Sequence, residues 1–409
     1  MSVHADMKME PKQAKERHVV EYPSMDSSRP SGRIQKLEHA DSGHERSMPD
    51  PDAFLRSMVK LGVSDLHLKD GVPPRVRIDG RLKKLHVEVL PSETFQRCML
   101  WFLSTEQQHR LREQGSVDFT YDIGGSDRFR VNMYQQESGL SMAARRVTRV
   151  IPSFEDLHLP QVISAIAENR QGLVLIAGVT GSGKSTTMAA MIEQINTTRA
   201  EHIVTIEDPI EFLFTSKKSL INQREIGINV RDFSTALRAL VREDPDVALI
   251  GEMRDVETFR AALQATDTGH LVFGTIHASN CAQTIGRLLD LFPEAERDSI
   301  RQSLAFNLKA IIAQKLVPSV KEEVSRVPIN EVLVSTPMVR KLIVEQRDSD
   351  LPVLISAGNE GMQSFNDSLQ KFIEQGYVDT KTAYQYSPNP EELKMQLKGI
   401  RQSSGRILG

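Results

Sequence analysis

The spacing of apolar residues divides the chain into two regions with different patterns. Over residues 51–150, short alternating segments are mixed with two helical stretches, and the turn dipeptide Asp79-Gly80 joins two of the alternating segments. This pattern predicts a small α+β domain that begins with a helix near Ala53 to Leu61. Beyond it, short apolar runs alternate with helices, which predicts a largely parallel sheet covered by helices on both faces.

Four apolar runs are the expected strands of that second sheet, and each leads directly into polar residues. They are Leu173 to Ala177, Ile203 to Ile206, Val247 to Ile250 and Leu271 to Thr275. From Asp298 onward, apolar positions such as Leu304, Leu308, Ile311 and Ile312 recur three or four apart. That spacing predicts that the chain closes with a helical region.

These patterns predict an α/β core preceded by a smaller α+β domain. Pro152 and Pro160 bracket a short linker over residues 151–163, the core follows at 164–320, and the helical region occupies 321–409. Residues 1–50 are polar and charged, with scattered Pro, Ser and Gly and little periodic apolar content. This composition predicts a disordered tail, and a segment that folds on contact with a partner is the alternative.

Composition narrows the function classes. The chain has 409 residues, of which 39% are hydrophobic and 26% charged, and no apolar run approaches the roughly 20 residues of a membrane span. We expect a soluble, cytoplasmic protein, because the first residues contain no apolar signal region. The net charge of −3 argues against a nucleic-acid-binding surface. Cys98 and Cys281 are too few for a zinc module and are expected to be buried thiols.

The strongest chemical signal is a phosphate-binding loop. The segment Gly178-Val179-Thr180-Gly181-Ser182-Gly183-Lys184-Ser185 matches G-x-x-x-x-G-K-[ST], follows an apolar strand and opens a helix. Its glycines allow successive N–H groups to face phosphate oxygens, and Lys184 adds a full positive charge. We expect the loop and Thr186 to bind ATP, with the Ser185 hydroxyl coordinating Mg²⁺.

Two strand ends offer the carboxylates that hydrolysis requires. Glu252 follows Val247 to Ile250 and is the first choice for the base that activates water, while Glu207 follows Ile203 to Ile206. We expect Glu207 and Glu252 to hold Mg²⁺ directly or through water, because ligands bind at the carboxyl ends of parallel strands. The alternative for both is a solvated strand terminus. His277 could sense the γ-phosphate, although a lone histidine is more often structural.

These segments together resemble a known family. The phosphate loop, Ile206-Glu207-Asp208-Pro209-Ile210-Glu211-Phe212, Gly251-Glu252-Met253-Arg254-Asp255 and Thr268 to His277 are similar to four ordered motifs of the type IV pilus retraction ATPases, the PilT/PilU family of the secretion and pilus ATPase superfamily. The resemblance extends over roughly residues 50 to 390 and includes Ser64-Asp65-Leu66-His67-Leu68. It implies catalytic roles for Lys184, Glu207, Glu252, His270 and His277.

The resemblance also implies an assembly. Members of that family have a PAS-like amino domain and a RecA-like ATPase domain, and they form hexameric rings with ATP near a neighbouring subunit. Four arginines are candidates to complete the site, with a surface ion pair as the alternative for each: Arg130, Arg145, Arg242 and Arg287. The resemblance therefore implies a homohexamer at the inner-membrane face. Its expected partners are the pilus platform protein, through which it is attached, and a paralogous retraction ATPase.

Features near the carboxyl end bear on the branch of the family. Thr336 to Ile343 resembles the retraction-specific helix, with Lys341 where an asparagine is usual, and packing is an alternative to partner contact. Leu304 to Lys309 and Glu391 to Gly399 resemble PilU, whereas Gly251 to Asp255 resembles PilT, so both branches stay open. The predicted function is an ATP-driven motor for pilus retraction. The rivals are an extension or secretion ATPase, a RecA-like nucleic-acid motor and a nucleotide-gated regulator.

Overall fold

The structure, a computed structural model, describes residues 50–78, 81–123 and 127–400. The predicted tail lies outside the described residues except for Asp50, and so does the predicted turn Asp79-Gly80. Among the residues that are described, no helix has both the length and the apolar character needed to span a membrane.

The amino-terminal part is built on a six-stranded sheet whose neighbouring strands all pair antiparallel. The strands are β1 (Asp65–Lys69), β2 (Val72–Ile78), β3 (Arg81–Lys84), β4 (Ser116–Ile123), β5 (Asp127–Gln136) and β6 (Gly139–Val147), in the spatial order β3-β2-β1-β6-β5-β4. Burial alternates along β4 and β5, as expected of a sheet with one face on a core. The predicted α+β character is confirmed.

Three helices pack with this sheet around one hydrophobic cluster. They are α1 (Asp52–Leu61), α2 (Ser92–Trp101) and α3 (Thr105–Gln114). Helix α1 ends at Gly62 in the left-handed conformation, and Ser104 caps α3 by accepting the N–H of Gln107. The cluster contains Cys98, whose predicted burial is confirmed.

The second sheet has seven strands and forms the α/β core. They are β7 (Gly172–Ala177), β8 (His202–Glu207), β9 (Leu220–Glu225), β10 (Val247–Ile250), β11 (Leu271–Ile276), β12 (Leu308–Pro318) and β13 (Arg326–Val334), in the order β13-β12-β7-β11-β10-β8-β9. All pairs are parallel except β12 with β13. Every residue of β7, β10 and β11 is buried, because hydrophobic clusters cover both faces of the sheet.

Helices surround this sheet and continue to the end of the described chain. They are α4 (Gln161–Ala167), α5 (Lys184–Thr198), α6 (Phe233–Leu240), α7 (Val256–Asp267), α8 (Cys281–Asp290), α9 (Glu294–Asn307), α10 (Pro337–Val344), α11 (Leu351–Ala357), α12 (Phe365–Glu374), α13 (Thr380–Tyr386) and α14 (Pro390–Leu397). In α10, Thr336 is the N-cap, and Leu342 and Ile343 are buried as predicted. Cys281 is fully buried, which was also predicted.

One part of the predicted helical region is wrong. Residues 308–318 and 326–334 form strands β12 and β13 and complete the central sheet, so helices resume only at Pro337. The run from Leu308 to Ala313 is apolar at nearly every position, and such a run fits a buried strand as well as a buried helix. The consequence is that the sheet continues beyond β7, next to the phosphate loop.

Candidate nucleotide-binding site

The phosphate loop connects the end of β7 to the start of α5. Gly178 and Gly183 both adopt positive φ angles, of 157° and 87°. A Cβ atom at Gly178 would lie 2.4 Å from Ser182 Oγ, so the tight turn admits only glycine there. Helix α5 begins after Gly183 with no side-chain cap, which leaves the N–H groups of its first turn available to an anion.

Lys184 is held over this loop by the loop's own backbone. Its Nζ donates hydrogen bonds to Gly178 O at 2.8 Å and Val179 O at 3.1 Å. Burial lowers the pKa of Lys184, while the nearby carboxylates of Glu252 and Glu211 act in the opposite direction. The ammonium group is therefore positioned at the loop before any phosphate arrives.

Glu252 is bound through both of its carboxylate oxygens. Arg254 donates to Oε2 at 2.5 Å, and His277 Nε2 lies 3.0 Å from Oε1. The hydrogen bond from Arg254 is the main cause of a lowered pKa at Glu252, with the charges of His277 and Lys184 contributing in the same direction. A lowered pKa keeps the carboxylate ionised at neutral pH, where it can accept a hydrogen bond from water.

Glu207 has a different environment at the end of β8. Its Oε1 accepts hydrogen bonds from Thr205 Oγ1 at 2.6 Å and Gln223 Nε2 at 3.1 Å. Burial raises the pKa of Glu207 to about 7, although these two hydrogen bonds oppose the rise. The two carboxylates predicted for this site thus favour different protonation states.

A cavity of about 650 Å³ brings the predicted residues together. The loop contributes Thr180, Gly181, Gly183, Lys184, Ser185 and Thr186 to its lining, and the strand ends contribute Glu207, Glu252 and His277. The other three predicted loop residues support the loop instead. Gly178 and Val179 offer carbonyls to Lys184, and Ser182 is only 2% exposed.

Arginines from the antiparallel sheet also line the cavity. Arg130 and Arg145, two of the four predicted candidates, line it together with Arg146. Arg145 Nε also donates to Asp65 Oδ1 at 2.7 Å. Sequence reasoning missed Arg146 and Arg326, which line the same cavity, because nothing near them in the chain marks them as nucleotide contacts.

Three predicted site residues are not brought to the cavity within this chain. His270 precedes the first residue of β11, at the end of the strand remote from His277, where its Nδ1 lies 2.8 Å from Ala265 O. Arg242 lies in the connection between the end of α6 and the start of β10. Arg287 lies near the end of α8. Both arginines are exposed, which makes them available to a second copy of the chain.

A mostly parallel sheet with a phosphate loop, an ionised carboxylate at a neighbouring strand end and a cavity of nucleotide size defines a P-loop nucleoside triphosphatase. The model of the type II/IV secretion system protein family matches residues 42–385. The chain belongs to this family, and it is an ATPase with a RecA-like core.

Several relatives resemble nearly the whole chain. The type IV pilus retractation ATPase PilT of Pseudomonas aeruginosa is 38% identical over 84% of this chain and 99% of its own length. The type IV pilus ATPase PilU of the same organism is 35% identical over 85% of this chain and 91% of its own. A crystal structure of the pilus retraction motor PilT with bound ADP superposes with a TM-score of 0.78 at 41% identity, covering 84% of this chain and 98% of that one.

Proposed function

We propose that this protein is the ATP-hydrolysing motor of type IV pilus retraction. The observation that carries the proposal is the shared cavity of Lys184, Glu252 and His277 in a chain that matches 99% of the length of a pilus retractation ATPase. The relatives named PilT and PilU are both pilus ATPases, so the family resemblance and the site support the same function.

Different residues of the cavity bind the phosphates and the metal ion. The loop N–H groups and Lys184 hold the β- and γ-phosphates of ATP. Oxygen ligands suit Mg²⁺, and Ser185, Glu207 and Glu252 line one cavity, so these residues would hold the ion directly or through water. The ion would supply positive charge against the charge that develops on the phosphate oxygens.

Glu252 acts as the base in hydrolysis. The oxygen of a water molecule forms a bond to the γ-phosphorus, the bond to the β–γ bridging oxygen breaks, and its electrons stay with ADP. The carboxylate of Glu252 accepts the proton of that water. His277 holds the carboxylate at Oε1 and senses the γ-phosphate, while Arg254 holds Oε2 and keeps the group ionised.

The motor is a homohexamer in which neighbouring subunits complete each site. Arg130 and Arg145 face the nucleotide from the antiparallel sheet, and Arg242, Arg287 and His270 are surface groups that a neighbour can reach. The domains extend over residues 51–150 and 164–320, and the linker at 151–163 is the hinge on which they turn. The ring works at the cytoplasmic face of the inner membrane, on the pilus platform protein and alongside a paralogous ATPase.

Deletion of the gene tests the direction of force. We expect surface pili to accumulate and retraction to stop, and wild-type protein supplied from a plasmid to restore retraction while Glu252→Gln does not. Loss of pilus assembly would instead identify an extension or secretion ATPase. Light scattering of the purified protein with ATP and Mg²⁺ checks the ring, and a monomer under all conditions would contradict it.

A further inference from the structure

Strand β12 brings a buried amide to the underside of the phosphate loop. Ala313 pairs with Ala177, the last residue of β7, so the next residue, Gln314, lies beside the start of the loop. A Cβ atom at Gly178 would lie 2.7 Å from Gln314 O, and one at Gly183 would lie 2.7 Å from Gln314 Nε2. Both ends of the glycine-rich turn therefore rest against this one residue.

The side chain of Gln314 uses both ends of its amide. Its Nε2 donates to Ser182 O at 2.7 Å, and its Oε1 accepts from Thr187 Oγ1 at 2.8 Å and from Asn330 Nδ2 at 2.9 Å. Gln314 is 2% exposed and Asn330 is fully buried. A buried amide without partners is costly, and this one is satisfied by the loop, by α5 and by β13.

The bond to Ser182 O fixes the direction of the next peptide group. In a planar trans peptide, the N–H of residue 183 points opposite to the carbonyl of residue 182. Because Gln314 draws the Ser182 carbonyl towards β12, the Gly183 N–H is turned away from β12, and Gly183 lines the nucleotide cavity. An amide held in this way is already oriented when a phosphate oxygen arrives, so binding requires no rearrangement of the loop.

We propose that Gln314 is a positioning residue that sets the phosphate loop in its nucleotide-binding conformation, with Asn330 holding the Gln314 amide in register from the neighbouring strand. The inference rests on the proposed nucleotide site and adds a residue that supports the phosphate loop of that site. Gln314 acts through the loop and contacts no substrate.

The test compares two buried glutamines in the full-length protein. Gln314→Met removes the support of the loop and preserves side-chain length. Gln363→Met is the matched control, because Gln363 is 5% exposed and bonds to Asn330 O and Lys371 instead of the loop. ADP binding is measured by titration calorimetry, and the unfolding temperature is measured without nucleotide.

We expect both variants to unfold at lower temperature, but only Gln314→Met to bind ADP about tenfold or more weakly, the effect of losing one hydrogen bond at the site. Gln314→Glu is a second variant that keeps the acceptor for Thr187 and Asn330 and, as a carboxylate, cannot donate to Ser182 O, so its ADP binding is measured at a pH high enough to ionise it. It should also weaken ADP binding about tenfold. At saturating ATP, kcat should change far less than KM, because Glu252 and His277 are untouched.

The proposal is overturned if the folded Gln314 variant or variants bind ADP within about threefold of the wild type, or if Gln363→Met weakens binding as much as Gln314→Met. Failure of the wild-type protein to bind ADP at all would contradict the proposed function itself. Normal wild-type binding with unaffected Gln314 variants would contradict only the role of Gln314.

Discussion

His277 Nε2 lies 3.0 Å from Glu252 Oε1 because the two residues follow adjacent parallel strands. Ile250 of β10 pairs with Gly274 of β11, so the register of the sheet determines how far apart the two side chains emerge. Gly274 leaves room for the side chain of Met253, since a Cβ atom there would lie 2.2 Å from Met253 Cε. The geometry at the carboxylate is thus a property of the rigid sheet.

Replacement of Glu252 by glutamine should abolish turnover while nucleotide binding survives. The amide cannot accept a proton from water, so we expect kcat to fall by roughly 10² to 10⁴ and the Kd for ADP to stay within about threefold. Steady-state phosphate release and calorimetry measure the two quantities. Glu257→Gln, at an exposed position on α7, is the matched control and should behave as the wild type. Turnover of Glu252→Gln near that control would rule out Glu252 as the base.

Lys184→Ala should weaken ADP binding by about ten- to a hundredfold, since the ammonium provides a charge-assisted hydrogen bond to phosphate. Without nucleotide, Lys184 donates hydrogen bonds to two loop carbonyls, so the unfolding temperature should change little. Calorimetry with ADP gives the first result and a thermal scan the second. Lys217→Ala removes a lysine paired with Glu193 and serves as the control. Unchanged ADP affinity in Lys184→Ala would contradict the assignment.

The buried carboxyl of Glu207 should make stability depend on pH. The folded state raises its pKa from 4.5 to about 7, so the folded protein holds this proton more tightly than the unfolded chain. The contribution of Glu207 to stability is therefore greatest at low pH and declines as pH rises from 4.5 to 7. Glutamine does not titrate, so Glu207→Gln does not lose stability in this way. The free energy of unfolding of the variant minus that of the wild type should therefore rise by roughly 2 kcal/mol between pH 5 and pH 8.

Urea denaturation without nucleotide or divalent ions measures that difference. A stability difference that is constant across this pH range would show that Glu207 does not titrate there in the folded protein.

The cavity arginines can be separated from the remote ones by alanine substitution. Arg130→Ala should lower kcat by about tenfold or more, because a cavity arginine stabilises charge on the transferred phosphate. Arg287 lies outside the cavity of its own chain, so Arg287→Ala should lower turnover only in the assembled protein, where a neighbour's site can use it, and should leave the dilute monomer within about twofold of the wild type. The test is ATPase activity of the assembled protein against that of a dilute monomer. A normal rate for assembled Arg130→Ala would remove it from the site.

The parts of the site that the sequence predicted are those that stand close together in the chain. The conformation of the loop from Gly178 to Ser185 could be predicted from its own residues, because its glycines and the following helix are contiguous in the chain. Glu252 and His277 were found because each follows a strand whose apolar run is recognisable. Each of these inferences needed only the local sequence pattern and the rule that the carboxyl ends of parallel strands lie at the same edge of a sheet.

Gln314 and the cavity arginines could not be found in that way. The apolar run around Gln314 fits a helix or a strand equally well, and only the completed sheet shows that it lies under the loop. Arg146 and Arg326 belong to different sheets, and their approach to one cavity depends on tertiary packing. His270 belongs to the same motif as His277 but lies at the far end of the strand, and its catalytic role stays a prediction.

The distance along the chain between Ser182 and Gln314 has a consequence for synthesis. The two residues are 132 positions apart, so at roughly 5–20 residues per second the support of the loop leaves the ribosome on the order of 10 s after the loop itself. A nascent chain therefore carries a complete phosphate-loop sequence without a complete site. Until strands β12 and β13 have been made, the loop lacks this support, so an unfinished chain should bind nucleotide more weakly, by the factor of about ten expected of Gln314→Met.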